Sequence, residues 1–229
     1  IMIDETVFIV KTHVSLGLKQ TFSNRLTRVI SYGGAIVIYD TISILYGSRE
    51  TINYYVLLFF LWNVHFLKRL IESIFVHKFR QQNTPIFEAI GEFIYYYLFA
   101  FWITYSIHKQ SLVFTTSPYL LAFFCTCLFI VCMLINGYCH LKLRFNYNLA
   151  NDRYLSGLFF DQVTTPHYTA EIVMWLAYFG INLTLASFLF AVATFITVTC
   201  FANQRHQQYK KRFKNKYPKN RKCIIPFLF

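Results

Sequence analysis

Tyr119 to Cys139 reads YLLAFFCTCLFIVCMLINGYC, a run of 21 residues without one charged side chain. A helix needs about 20 apolar residues to cross the hydrocarbon core of a bilayer, so this run reads as a membrane span. Working outward, Leu26 to Tyr46, Ile52 to Val76 and Ile86 to Ile107 have the same character and nearly the same length. The composition agrees. A chain of 229 residues that is 56% hydrophobic and 14% charged cannot cover a globular surface with polar side chains. The solvent for its apolar blocks is lipid, and the fold class is an all-α polytopic membrane helix bundle. Aromatics reach 20%, with 26 Phe and 17 Tyr, which suits belts at both bilayer interfaces.

The block from Ala170 to Cys200 is too long for one upright helix and, at about 1.5 Å per residue, too short for two full spans. A broken fifth helix resolves this: it enters from about Tyr154, is interrupted at Thr165-Pro166, and the chain returns after Asn182. Loop charges test the choice. Lys11, Lys19, Arg25 and Arg28 precede the first span, Lys68, Arg69, Lys78 and Arg80 end the second, and Lys142, Arg144 and Arg153 follow the fourth. The opposite loops offer only Arg49 and Lys109. About six crossings put every basic cluster, and both termini, on the cytoplasmic side, whereas five would strand the basic tail across the membrane. The expected organisation is an N-terminal segment over residues 1–25, a remnant or truncated, and one membrane domain over residues 26–229 with a basic tail at 203–229.

The formal charge of +12 owes much to one run, Arg205 to Lys222. It reads either as a cytosolic tail that touches anionic headgroups or as a cradle for nucleotide or coenzyme A phosphates. Nucleic acid is a poor partner for a tail that already lies beside lipid. Cys125, Cys132 and Cys139 recur at seven-residue intervals and read as small core residues; no metal-binding array and no disulfide is implied.

Three clusters carry the chemistry. His65, Lys68, Arg69 and Glu72 stand at i, i+3, i+4 and i+7, one helix face, so close to hydrocarbon that function and an interfacial ion pair are both open readings. Asn136, His140 and Arg144 share a face where the fourth span leaves the membrane. Thr165-Pro166-His167-Tyr168-Thr169-Ala170-Glu171 lies at the proposed break, either a ligand site or a capped kink. His13, His77, His108 and His206 read singly as interface residues, and Asp40 in the first span has no evident partner.

In this order the clusters resemble the steroid 5-alpha-reductase family and, within it, the very-long-chain trans-2-enoyl-CoA reductase branch. The resemblance is most specific over His65-Phe66-Leu67-Lys68-Arg69-Leu70-Ile71-Glu72, continuing through Phe75-Val76-His77-Lys78-Phe79 to Thr84-Pro85. The Asn136, His140, Leu143, Arg144 spacing, Tyr168 with Glu171, and the ending Tyr217-Pro218 to Ile225-Pro226-Phe227 agree with it. The steroid enzymes carry Tyr in place of Phe66. The resemblance implies hydride transfer from NADPH to the β-carbon of a long-chain enoyl-CoA, then protonation at the α-carbon. It marks Lys68 and Tyr168 as catalytic, and lines the nucleotide site with Asn136, His140, Arg144, His167, Glu171, Arg205 and Tyr209. Ser31, His65 and Arg69 fall on the substrate side. A nearby ammonium would favour the phenolate of Tyr168 and make it a readier proton donor to the enolate.

Two positions depart from the pattern: Ser31-Tyr32 stands where the reductases usually have Glu-Tyr, and His167-Tyr168 where they have Asn-Tyr or Asn-Phe. The first expectation is therefore an active NADPH-dependent reductase of fatty-acid elongation in the endoplasmic reticulum, with long-chain acyl-CoA, membrane lipid and partner subunits of an elongation complex. The second is a reductase-derived scaffold that has lost its chemistry and serves a larger assembly, for instance in the mitochondrial inner membrane. The retained Lys68 and Tyr168 favour the first; Ser31, His167 and the lack of the branch's ubiquitin-like N-terminal domain favour the second. A membrane methyltransferase of the isoprenylcysteine type is disfavoured by the His65 to Phe79 stretch.

Overall fold

The computed structural model describes residues 21–47, 52–79, 83–109, 119–147 and 154–224. The N-terminal segment before residue 21 and the basic residues Arg49, Arg80 and Arg153 lie outside the described residues. Seven helices follow a short strand: β1 (Thr21–Ser23), α1 (Asn24–Tyr46), α2 (Ile52–Ile71), β2 (Asn83–Pro85), α3 (Ile86–Lys109), α4 (Tyr119–Phe145), α5 (Phe159–Gln162), α6 (Pro166–Asn182) and α7 (Leu185–Phe213). Among the described residues, five helical stretches are long and apolar enough to cross a membrane: Asn24–Tyr46, Tyr54–Val76, Ile86–Lys109, Tyr119–Phe145 and Leu185–Lys216. The first three run within a few residues of where the hydropathy placed them, the fourth extends to Phe145, and the last continues as helix well past the apolar block that ends at Cys200.

The broken fifth element takes the expected form. α5 stops at Gln162, α6 opens on Pro166, and the return is made by Leu183 in the left-handed conformation at φ 50°. α6 differs from the other spans. Its 17 residues rise only about 25 Å, short of the roughly 30 Å hydrocarbon core. Twelve of those 17 are buried, so α6 is enclosed by other helices rather than facing lipid. That enclosure is what allows it to carry His167, Tyr168, Glu171 and Asn182 at membrane depth.

Side-chain pairs fix how the helices run. β1 pairs antiparallel with β2, tying the starts of α1 and α3 together. The two helices then run parallel, joined by Arg28 to Glu92 at 2.9 Å and Ser43 to Thr104 at 3.1 Å. α2 opposes α6, with the Tyr54 hydroxyl donating to the Ile181 carbonyl at 2.7 Å at one end and His65 edge-on to Trp175 at 4.8 Å nearer the other. The core between them is aromatic: Tyr32, Tyr39, Trp62, Phe66, Phe129, Trp175, Tyr178 and Phe190 are all fully buried or nearly so. Tyr39 stacks on Trp62 at 4.8 Å, and the Tyr39 and Tyr178 hydroxyls satisfy each other at 3.0 Å. Asp40 finds its partner in Asn63, whose amide donates to it at 2.8 Å.

Cys125, Cys132 and Cys139 are buried on the α4 face that meets α6, as their spacing predicts. At Gly180 a β-carbon would lie 2.7 Å from Cys125 Sγ, so the missing side chain sets how closely α4 and α6 approach. Gly180→Val is expected to cost about 1–3 kcal/mol through overpacking, and Cys125→Ala in the same chain should recover a good part of it. Retention of monodisperse protein after heating in detergent measures this; strictly additive losses would show that the two residues do not share the contact.

The chain after α7 folds back onto the break. The Thr164 amide donates to the Lys222 carbonyl and the Lys222 amide to the Gln162 carbonyl, both at 3.0 Å. Thr165 donates to the Cys223 carbonyl at 3.2 Å, and the Thr169 hydroxyl donates to the Ile224 carbonyl. The Thr164 hydroxyl meets His206 Nδ1 at 2.6 Å and the Tyr217 hydroxyl at 2.7 Å. Backbone groups freed by the interruption are thus satisfied by protein, the condition for irregular chain at membrane depth. His206, read from sequence as an interface residue, is buried in this junction.

Candidate functional site

The helical stripe on α2 is real and Glu72 is its centre. One carboxylate oxygen lies 2.8 Å from Lys68 Nζ; the other lies 2.8 Å from His140 Nδ1 and 3.7 Å from Arg69 Nη1. Glu72 also begins a π-helical turn, Glu72–Val76, in which the His77 amide donates to the Glu72 carbonyl at 2.7 Å. In a regular α-helix a residue five positions on points about 140° away. The wider turn brings His77 round against His140, ring centroids 5.1 Å apart. His77 is therefore not an interface residue: it is 4% exposed, and burial, helped by the nearby positive charges of His140 and Arg69, pushes its imidazole well below the usual histidine range.

From Lys68 the network crosses to the other helices. Lys68 Nζ donates to Asn136 Oδ1 at 2.6 Å, and the Asn136 amide donates to the His167 carbonyl at 2.9 Å and approaches Glu171 Oε2 at 3.5 Å. Gly137 makes room for this, because a β-carbon there would meet Lys68 Cε at 3.1 Å. Arg69 reaches the opposite way and donates to the Tyr32 hydroxyl at 3.1 Å. The His167 ring stands 4.2 Å from Tyr168 and 5.4 Å from His140, so His167 joins the α2–α4 network to Tyr168. The cation over the Tyr168 ring is Arg205, at 6.0 Å, while Lys68 is held by Glu72 and Asn136.

The fold thus assembles Lys68, Arg69, Asn136, His140, His167, Glu171, Tyr168 and Arg205 from α2, α4, α6 and α7, together with Glu72, His77 and Tyr32. Three expected residues stand apart. Ser31 is fully buried and donates to the Thr27 carbonyl of its own helix at 2.9 Å; its neighbour Tyr32 makes the contact with Arg69. Tyr209 packs in an aromatic cluster with Phe213 and Tyr217, at 5.8 and 6.1 Å. Arg144 sits one turn beyond His140, partly exposed, outside this network. His65 lines a small cavity of about 50 Å³ with Tyr32, Arg69, Glu171 and Trp175.

Four buried polar atoms around this assembly have no hydrogen-bond partner among the described residues: His65 Nδ1, His77 Nε2, His167 Nδ1 and Arg205 Nη1. Arg205 is 3% exposed, and a buried guanidinium nitrogen without an acceptor is costly. Its complement is an anion with forked acceptors, such as a phosphate. The sequence shows no metal-binding array, yet the donor atoms of Glu72, His77 and His140 all lie within 4.8 Å of one another. The charge is unsuited to a divalent ion, since Lys68 and Arg69 already lie against the same carboxylate.

Comparison with known proteins gives the same direction. A family model described as 3-oxo-5-alpha-steroid 4-dehydrogenase matches residues 82–229. The "Very-long-chain enoyl-CoA reductase" of Dictyostelium discoideum is 30% identical over 213 residues, covering 89% of this chain and 69% of that protein. A Caenorhabditis elegans protein named "Probable very-long-chain enoyl-CoA reductase" is 31% identical over 181 residues, covering 74% of this chain and 58% of its own length.

Proposed function

The chain belongs to the steroid 5-alpha-reductase family, and from that premise we propose that it reduces the trans-2 double bond of a long-chain enoyl-CoA with NADPH. The observation that carries the reading is the junction at His167-Tyr168, where a buried phenol lies under the Arg205 guanidinium and beside the Lys68–Asn136 relay. NADPH, when bound, supplies a hydride to the β-carbon of the thioester. Tyr168 then gives its hydroxyl proton to the α-carbon of the enolate, and the positive charge of Arg205 stabilises the phenolate left behind. Lys68, fixed by Glu72 and Asn136, holds positive charge next to this point. Arg205, with its unpartnered Nη1, suits the phosphate portion of the nucleotide; Asn136, His140, His167 and Glu171 supply polar groups beside it, with Arg144 and Tyr209 toward the tail. His65, Arg69 and the Tyr32 hydroxyl face the thioester side, with Ser31 bonded to its own helix behind them.

The wider setting is part of the proposal: fatty-acid elongation, the endoplasmic reticulum as the membrane, and both ends of the chain on the cytoplasmic face, where the basic residues gather. The narrow aromatic-walled cavity beside His65 favours a second reading, a reductase-like subunit of a larger membrane assembly with its substrate path filled. Calorimetric titration of NADPH separates the two. On the enzyme reading the wild type binds. Arg205→Ala weakens NADPH about ten- to hundredfold, the loss of a charge-assisted hydrogen bond worth about 1.5–3 kcal/mol, and weakens NADH less. An unmodified chain that binds neither nucleotide supports the scaffold; equal losses for both nucleotides would remove Arg205 from the phosphate site.

A further inference from the structure

At the end of the bundle where the basic residues collect, a pocket of about 400 Å³ opens between β1, the start of α1, the segment after the π-helical turn and the end of α4. Its walls are Ser23, Arg25, His77, Lys78, Phe79 and Tyr147. The volume falls within the range of about 300–1,000 Å³ typical of small-ligand sites. Two of the six side chains are permanently cationic and none is a carboxylate, so among the described residues a phosphate here meets positive charge without a competing anion in the wall. Lys78 Nζ lies 4.8 Å over the Tyr147 ring, which holds the ammonium in place at the rim. Phe79 offers an apolar ring beside His77, centroids 6.0 Å apart.

His77 gives the pocket its built character. It is 4% exposed, and its Nε2 has no hydrogen-bond partner among the described residues. A buried polar atom of that kind is costly unless something outside the protein satisfies it. The same imidazole packs against Glu72 and His140, so one residue of the pocket wall also touches the candidate site. It is nevertheless a different place from the Arg205 subsite. The rings of Tyr168, His167, His140 and His77 follow one another at 4.2, 5.4 and 5.1 Å, with Arg205 over the first and the pocket beyond the last. A reductase acting on a coenzyme A thioester must hold two phosphorylated nucleotides at once, and these are two phosphate-compatible sites at opposite ends of one row of rings.

We propose that this pocket is a phosphate-binding subsite that takes the nucleotide end of the coenzyme A thioester. The assignment rests on the enoyl-CoA reading above, since that reading is what supplies a second nucleotide. Arg25 and Lys78 take the phosphates, Phe79 and Tyr147 flank the base, and His77 meets the ligand at the inner wall.

The full chain in nanodiscs tests it, with coenzyme A and adenosine 3′,5′-bisphosphate as binding probes. Arg25→Ala with Lys78→Ala should weaken both probes at least tenfold, Lys78→Arg should restore much of the loss, and added salt should shrink the difference. NADPH affinity, read on the same samples, should stay within about twofold and certifies the fold. In turnover, kcat/KM for a trans-2-hexadecenoyl-CoA should fall about tenfold relative to that for the same acyl group on N-acetylcysteamine, which lacks the nucleotide. A tenfold loss of NADPH with coenzyme A unaffected would overturn the proposal in favour of the cofactor's own phosphate, and unchanged binding of both would overturn it altogether. The two proposals fail separately: a wild type that binds coenzyme A through Arg25 and Lys78 but reduces no enoyl thioester refutes the reductase and keeps the pocket.

Discussion

Tyr168→Phe is expected to lower turnover of a long-chain trans-2-enoyl-CoA by two to four orders of magnitude, the usual size of a lost general acid. The effect should fall on kcat with little change in NADPH affinity, because the substitution removes one oxygen and leaves the ring. That ring packs among Ile172, Val198, Ala202, Cys223 and Ile224, contacts that a phenylalanine keeps. Arg205 would still lie over it. Single-turnover kinetics with pre-bound NADPH separate the chemical step from binding. Wild-type rates in the variant would remove Tyr168 from the proton-transfer role, whereas lost NADPH binding would show that the hydroxyl serves the cofactor instead.

Glu72→Ala should be the most destabilising single change at the site. The carboxylate, 6% exposed, compensates Lys68, Arg69 and His140 together, and its removal leaves cationic groups buried with no counter-charge. Breaking a buried ion pair from one side typically costs about 3–5 kcal/mol, which for a chain of this size lowers the melting temperature by on the order of 10 °C. Cys125, Cys132 and Cys139 are buried free thiols, so a thiol-reactive dye reports the transition. The double variant Glu72→Leu with Lys68→Met removes charge from both sides and should melt well above Glu72→Ala while remaining inactive. A Glu72→Ala protein that melts with the wild type would mean that water or ions, and not Glu72, compensate this cluster.

What the sequence made legible follows from what is local. Span positions are written in runs of apolar residues, the break in Pro166, and the α2 and α4 faces in the spacing of His65 to Glu72 and Asn136 to Arg144, because helical geometry converts spacing into direction. His77 escaped for the complementary reason: the π-helical turn changes that conversion within five residues, and nothing in ESIFV announces it. The partners of Tyr32, Asp40 and Tyr178 depend on which helices neighbour which, and hydropathy is silent about that. Ser31 was placed on the substrate side through the resemblance, where the reductases usually have Glu, but its hydroxyl turns back to its own helix. Arg205 was legible as part of a basic run. That it would be buried over Tyr168 while Lys210, Lys211 and Arg212 of the same run stay at the surface depends on α7 continuing as helix past the apolar stretch.

The return of the chain onto the break has a consequence for biosynthesis. The backbone at Thr164, one residue before the cap of α6, is paired with Lys222, which the ribosome adds 58 residues later. At about 5–20 residues per second, roughly 3–12 s separate the two events. Over that interval the connection between α5 and α6 stands without its Lys222 backbone pair, in a setting where unpaired backbone is costly. The nascent chain therefore passes through a stage in which the described spans have been made while the connection ahead of His167 and Tyr168 still lacks its partner segment, and a chaperone or translocon lateral chamber that shelters this connection would govern how much product matures.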